Sequence, residues 1–371
     1  MEITFSEERE ELRRSVRRFM EDKSPTSEVR RLMETDDGYN SDVWRQMANE
    51  LGLQGLVIPE RFGGSGYGYE ELAIVFEEMG RSLLCAPFFS TVALATSALL
   101  ASNDEGAMDK FLPGIASGTS IATLAFSEPS GAWDVEKVTT HATKSADGFL
   151  LNGTKSFVID GVVADLLLVT AVSEIGLSLF AASSSAPGVT VTPLTTMDLT
   201  RKQSLIEFND VPGELVGVEG GASNVVAKAL QLASTALAAE QVGGAERVLE
   251  LSVEYAKVRI QYGRPIGSYQ AIKHKCSDML VLVETAKSAS LYATWAAATD
   301  SDELPVASSL AKAYCSEAYL KCAADNIQIH GGIGFTWEHD AHLFFKRAKS
   351  TEILLGLPSY HRELIARLVG M

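Results

Sequence analysis

Tyr255-Ala256-Lys257-Val258-Arg259-Ile260-Gln261-Tyr262-Gly263-Arg264-Pro265-Ile266, closed by Gln270, lies between two long helical patterns. Ala227 to Val258 leads into it and Ser268 to Thr299 leads away, both rich in Ala, Leu and Glu with few breakers. Val306 to Ile329 has the same texture. Helices this long, joined by short Gly-containing connections, predict an antiparallel bundle. Inside the joint, Arg259 offers a fixed fork of donors suited to a pyrophosphate. Gly263 lets the backbone turn tightly beside it.

Outward from the bundle the texture changes. Between about 119 and 220 short β-rich runs appear: Ile121 to Phe126, Gly148 to Gly153, Leu166 to Thr170 and Gly188 to Val191. Asp147-Gly148 and Asn152-Gly153 are turn signals among them. This predicts a small β domain, a barrel or a sandwich. Residues 1 to about 118 return to helical periodicity. Ser6 is placed to cap a first helix whose opening turn is acidic. Pro59-Glu60-Arg61-Phe62-Gly63-Gly64-Ser65-Gly66-Tyr67-Gly68 reads as a loop, followed by a helix over Glu70 to Arg81. The expected domains are therefore 1–118, 119–220 and 221–371. No internal repeat stands out.

Composition narrows the partners. The chain has 371 residues, 46% hydrophobic and 22% charged, as in a soluble globular protein of more than one domain. A net charge of −16 repels phosphate backbones, so nucleic acid is not an expected partner. No apolar stretch reaches spanning length, and Met1 to Glu8 lacks the basic and apolar regions of a signal peptide. A cytoplasmic location is expected. Cys85, Cys276, Cys315 and Cys322 form no CxxC pair and read as buried free thiols. His339 and His342 have no further ligands clustered with them, so no metal site is expected.

Four segments carry a more specific signal. They are Pro59 to Gly64 with Glu77-Glu78-Met79-Gly80-Arg81; Ser127-Glu128-Pro129 and Asp134 with Leu151 to Phe157; Tyr255 to Ile266 with Gln270; and Gln328-Ile329-His330-Gly331-Gly332-Ile333-Gly334-Phe335. In this order and at these spacings they resemble the flavin-dependent acyl-CoA dehydrogenases, over most of the chain. The resemblance implies an α+β multidomain fold: a helical N-terminal domain, a β-barrel or sandwich middle domain and a C-terminal four-helix bundle. It implies FAD held at a subunit interface and an acyl-CoA thioester as substrate. Electron-transferring flavoprotein is the implied electron acceptor. Arg259, Tyr262, Gly263, Gln270, Gln328, Gly331 and Gly332 would reach the flavin of a neighbouring subunit. Gln270 suits adenine or ribose, Gln328 supplies an amide, and the Gly331-Gly332 backbone allows close approach. Ser127 matches a hydroxyl near the flavin's reactive nitrogen. Phe157 stands where the family usually stacks a tryptophan.

The chain also departs from the family. The reaction needs a carboxylate aimed at the proton alpha to the thioester. Its usual place precedes a Gly-Thr pair, and here the sequence reads Leu355-Gly356-Leu357. The rarer place, on the first long C-terminal helix, holds Ala233 and Ser234. Ile159 replaces a threonine that donates to the flavin, and Trp133 fills a small polar position by the substrate path. These losses fall on the chain's own pocket. The retained groups are those that would serve a partner's flavin, whereas random decay would strike both sets. The expectation is a base-lacking subunit of a heteromeric, α2β2-like enzyme, paired with a homologous chain that carries the glutamate. Some actinobacterial dehydrogenases of steroid side-chain thioesters are built this way. The alternatives are a homo-oligomer with a relocated base, Glu240 or Glu352, and a flavin-free binding protein on the same fold.

Overall fold

The computed structural model describes residues 6–131, 133, 137–146 and 148–371. Asp134 of the second segment and Asp147 of the predicted turn lie outside these. In chain order the helices are α1 (Glu7–Lys23), α2 (Thr26–Met33), α3 (Ser41–Asn49), α4 (Tyr69–Ser82), α5 (Ser97–Ser102), α6 (Glu105–Ala116), α7 (Ala222–Val258), α8 (Gln270–Ala298), α9 (Leu304–His330), α10 (Ala341–Ile353) and α11 (Pro358–Leu368). The strands are β1 (Ala122–Ala125), β2 (His141–Ser145), β3 (Gly148–Ile159), β4 (Leu166–Val172), β5 (Leu177–Ser183), β6 (Val189–Pro193), β7 (Gln203–Val216), β8 (Ile260–Gln261) and β9 (Arg264–Pro265). Helix, then strand, then long helix is the order the sequence predicts. No helix among the described residues is long and apolar enough to cross a membrane.

Two compact units interleave along the chain. One gathers Met1–Val29, Tyr69–Leu84 and Ser234–Met371; the other gathers Arg30–Gly68 and Cys85–Ala233.

The first unit is helical. Ser6 caps α1, its hydroxyl accepting from the Arg9 amide at 3.2 Å. Arginines on α1 face carboxylates on α4: Arg9 meets Glu70 and Glu71, and Arg17 meets Glu78 at 2.8 Å. α9 packs against α8, α10 and α11. Its buried lining is mostly small, with Ala307, Ala311, Ala318 and Ala323 among the core residues. α4 and α7 touch backbone to backbone. A Cβ on Gly243 would stand 1.8 Å from Glu77 O, and one on Gly80 would stand 2.0 Å from Glu240 O. No side-chain rotation relieves a clash with a carbonyl. Gly243→Ala is therefore expected to cost about 2–3 kcal/mol or more by overpacking, read as a lower denaturant midpoint with an unchanged slope.

The second unit is built on a β-barrel rather than a sandwich. β3 pairs along one edge of β7, and the other edge of β7 takes β6 and then β5. β5 pairs with β4 from Leu166↔Ser183 to Val172↔Leu177. The far edge of β4 takes β1 in parallel, then β2 at His141↔Val172, and β2 returns to β3. The ring of β2, β3, β7, β5 and β4 thus closes, with β6 added at β7. All four cysteines are free. Cys85, Cys315 and Cys322 are buried as expected, whereas Cys276 on α8 is only half-buried.

Candidate functional site

In the helical unit, β8 and β9 form a short hairpin with Ile260↔Pro265 and Gln261↔Arg264 in register. Its two turn residues, Tyr262 and Gly263, have φ of 51° and 80°. Paired left-handed residues make the turn type that matches strand twist, which is why a glycine serves here. The hairpin is braced from below. Arg264 lies 4.2 Å over the Tyr269 ring, and the Tyr269 hydroxyl donates to Gln261 O at 3.0 Å. Arg259 accepts at its carbonyl from the Ile266 amide at 2.8 Å, while its side chain is exposed. Tyr262 is 92% exposed, and Gln270 opens α8 in the open.

The end of α9 lies beside this hairpin. Tyr255 of α7, four residues before Arg259, stacks on His330 at 4.2 Å between ring centroids. The His339 ring lies tilted against His330 at 4.3 Å, and His330 Nδ1 bonds Asn326 O at 2.8 Å. Burial and the neighbouring His339 push the His330 imidazole below its ordinary value. The stack holds the end of α9, which carries Gln328 and leads into Gly331-Gly332, against the end of α7 that leads into the hairpin. Gly331 has φ 65° and ψ −141°, a backbone state open to glycine alone. A Cβ on Gly331 or Gly332 would meet nothing, so this backbone faces open space. Val258 and Ile260 beside the hairpin, and Ile333, Phe335 and Trp337 just after Gly331-Gly332, are all exposed. Large apolar side chains left exposed in these two segments suit an interaction surface. Tyr255 and His330 stood inside the quoted segments, but ring stacking across two helices leaves no spacing signal.

The base position lies in the same unit. α10 ends at Ile353, and Leu355 adopts φ 61° before Gly356 at 109°. Leu355 is buried, and a bulky residue with positive φ persists only where its surroundings impose it. His361 Nε2 donates to Leu355 O at 3.0 Å. Lys312 of α9 donates to Gly356 O at 3.0 Å, Glu352 O at 3.1 Å and Ser316 Oγ at 3.0 Å. Glu240, one of the two candidate relocated bases, is shielded from solvent. It is buried on α7 and accepts from Arg347 Nη1 of α10 at 2.9 Å. Glu352 pairs with Lys349 on its own helix.

In the barrel unit, Ser127 follows β1 and Phe157 sits near the end of β3. Ser127 O accepts from the Ser156 amide at 2.9 Å. Ser127 Oγ is buried and has no hydrogen-bond partner among the described residues. An orphaned buried hydroxyl invites a ligand atom. Phe157 has φ 58° and is 45% exposed, so its ring is turned outward from the barrel wall. Ile159 is buried and contributes only its carbonyl, to the Thr123 hydroxyl at 2.7 Å. Trp133 is half-buried, with its ring 6.0 Å from Phe126.

Family models cover nearly the whole chain: acyl-CoA dehydrogenase N-terminal domain over residues 6–119, middle domain over 123–211 and C-terminal domain over 221–370. The chain is 35% identical to the acyl-CoA dehydrogenase IpdE2 of Mycolicibacterium smegmatis, over 98% of each protein. It is similar to the solved ChsE4-ChsE5 complex of Mycobacterium tuberculosis, with a TM-score of 0.90, 28% identity and 100% of both chains covered. A solved steroid ACAD, Tcur3481-Tcur3483, gives a TM-score of 0.90 at 29% identity, over 99% of this chain and 98% of that one. The ordered motifs, the closed barrel followed by long helices, and these matches lead to one conclusion: the chain belongs to the acyl-CoA dehydrogenase family.

Proposed function

We propose that the chain is the base-lacking subunit of a heteromeric, FAD-dependent acyl-CoA dehydrogenase. The observation that carries this is a contrast inside the helical unit. At the base position the side chain is a buried leucine, and of the two candidate replacements Glu240 is held by Arg347 and Glu352 by Lys349. A few elements away, Arg259, Tyr262, Gln270, Gln328 and the Gly331-Gly332 backbone stand open to solvent within an apolar rim. The chain keeps a surface for a partner and lacks a carboxylate for itself.

The residues fit FAD in kind. Arg259 suits a pyrophosphate, the two glycines leave room for close approach, and Ser127 Oγ awaits a partner. Phe157 presents a ring for stacking. Bound FAD would accept the hydride lost from the thioester's beta carbon. The alpha proton would go to a glutamate of the homologous chain, because Leu355 accepts none. The similarity to a two-protein complex and to a steroid enzyme supports an α2β2-like assembly and a steroid side-chain thioester as substrate. Electron-transferring flavoprotein as acceptor, a cytoplasmic location and the division at 1–118, 119–220 and 221–371 belong to the same reading.

The test is flavin content. The chain purified alone is expected to be nearly colourless. Co-expressed with its nearest dehydrogenase-like neighbour, it is expected to form a stable complex with about one flavin per pair, bleached by acyl-CoA. One flavin per chain in the lone protein, bleached by acyl-CoA, would refute the heteromer.

A further inference from the structure

Ser127 and Phe157 stand on different elements of the barrel unit, and one ligand can use both only if their spacing is fixed. Lys155 lies two residues before Phe157, and Glu128 is next to Ser127. Lys155 is fully buried. Its Nζ donates to Glu128 Oε1 at 2.9 Å and to Thr170 Oγ1 of β4 at 3.0 Å. The Glu128 carboxylate takes four more bonds: Thr139 N at 2.8 Å, Thr139 Oγ1 at 2.6 Å, Thr140 N at 2.9 Å and Thr140 Oγ1 at 2.8 Å. These donors and the ammonium outweigh burial and hold Glu128 down at about 2. Burial pushes Lys155 down to about 8, against the pull of Glu128. Both groups are therefore charged at neutral pH.

A buried ion pair of this kind roughly breaks even against apolar packing, so stability alone does not account for it. Its location suggests another use. The β3–β7 register shifts between Lys155↔Ile206 and Val158↔Ser204, leaving an extra residue on β3. That bulge contains Phe157 in its left-handed conformation. A bulge re-aims a side chain, but a bulky residue with positive φ relaxes unless it is anchored. Lys155 anchors one side of the bulge to Glu128, and Ser156 N anchors it to Ser127 O.

We infer that Lys155 and Glu128 are a positioning pair, fixing the Ser127 hydroxyl and the Phe157 ring relative to each other for the flavin. The inference rests on the FAD reading above. Neither residue need touch the ligand; both act through their neighbours.

The test uses Lys155→Met in the full chain, with and without its co-expressed partner. Thr170→Val, which removes only the second anchor of Lys155, is the milder variant. Amide exchange across Lys155–Val158 is measured without flavin, and flavin content and absorption spectrum are measured in the complex. Lys155→Met is expected to speed exchange by about tenfold or more and to lower flavin retention similarly; Thr170→Val shows the same effects, smaller. Unchanged exchange in both variants, or faster exchange with flavin content and spectrum intact, overturns the positioning pair while the FAD reading stands. A wild-type complex without flavin overturns both.

Discussion

Glu240→Gln is expected to destabilise the chain by about 3–5 kcal/mol, because it takes the carboxylate partner from a buried guanidinium. Glu240 and Arg347 are 4% and 3% exposed at their side chains and meet at 2.9 Å. The pair ties α7 to α10, and the Glu240 carbonyl is also where α4 crosses α7 at Gly80. Neutralising one member removes the charge partner and leaves the cost of burying the other. Arg347→Met on the same chain removes the buried charge as well, so the double variant is expected to recover most of the loss. Equilibrium denaturation of wild type, both single variants and the double variant closes the cycle. The same variants decide whether Glu240 is a relocated base. A base would show lost turnover in Glu240→Gln at nearly unchanged stability, with no recovery in the double variant. A structural pair shows the reverse.

The sequence reports some of this better than the rest, for physical reasons. Helices α7, α8 and α9 were legible because long runs with few breakers have few other solutions, and the tight turn between α7 and α8 because Gly263 tolerates positive φ; that the turn closes a two-stranded hairpin was not. The barrel was legible only as a barrel or a sandwich, since closure depends on β5 pairing with both β4 and β7, and pairing partners are not written locally. Lys155 and Glu128 were visible as motif letters without a role, because their contact spans a strand and a loop. The burial of Glu240 left no sequence signal, because burial of a carboxylate is decided by a partner more than a hundred residues away. Lys312 gave no signal, since a lysine in an Ala-rich helix ordinarily reaches solvent.

Lys312→Met is expected to loosen the Leu355 turn and to erase a pH dependence of stability. Lys312 is fully buried on α9 and donates to Glu352 O, Gly356 O and Ser316 Oγ. Glu352 belongs to the last turn of α10, where carbonyls have no helical donor. The ammonium supplies that donor and lies at the negative end of the helix dipole. Methionine leaves two carbonyls unmet, at about 1–3 kcal/mol each where they stay buried. Amide exchange at Leu355 and Gly356 is therefore expected to rise. The pH effect follows from burial, which pushes Lys312 down to about 7 from an ordinary 10.5. Between those values the unfolded chain binds more protons than the folded one, so stability rises with pH. The cost of burying the ammonium is full below about 7 and is gone above the ordinary lysine value. His361, pushed down to about 4 by burial and by Lys312, stays neutral through that window and keeps donating to Leu355 O. Melting curves at several pH values should show wild type gaining on Lys312→Met as pH rises from about 7 towards 10. A constant difference, with exchange at Leu355 unchanged, would mean that Lys312 does not clamp the turn and that the packing of Leu354 and Leu355 alone holds the leucine in its left-handed state.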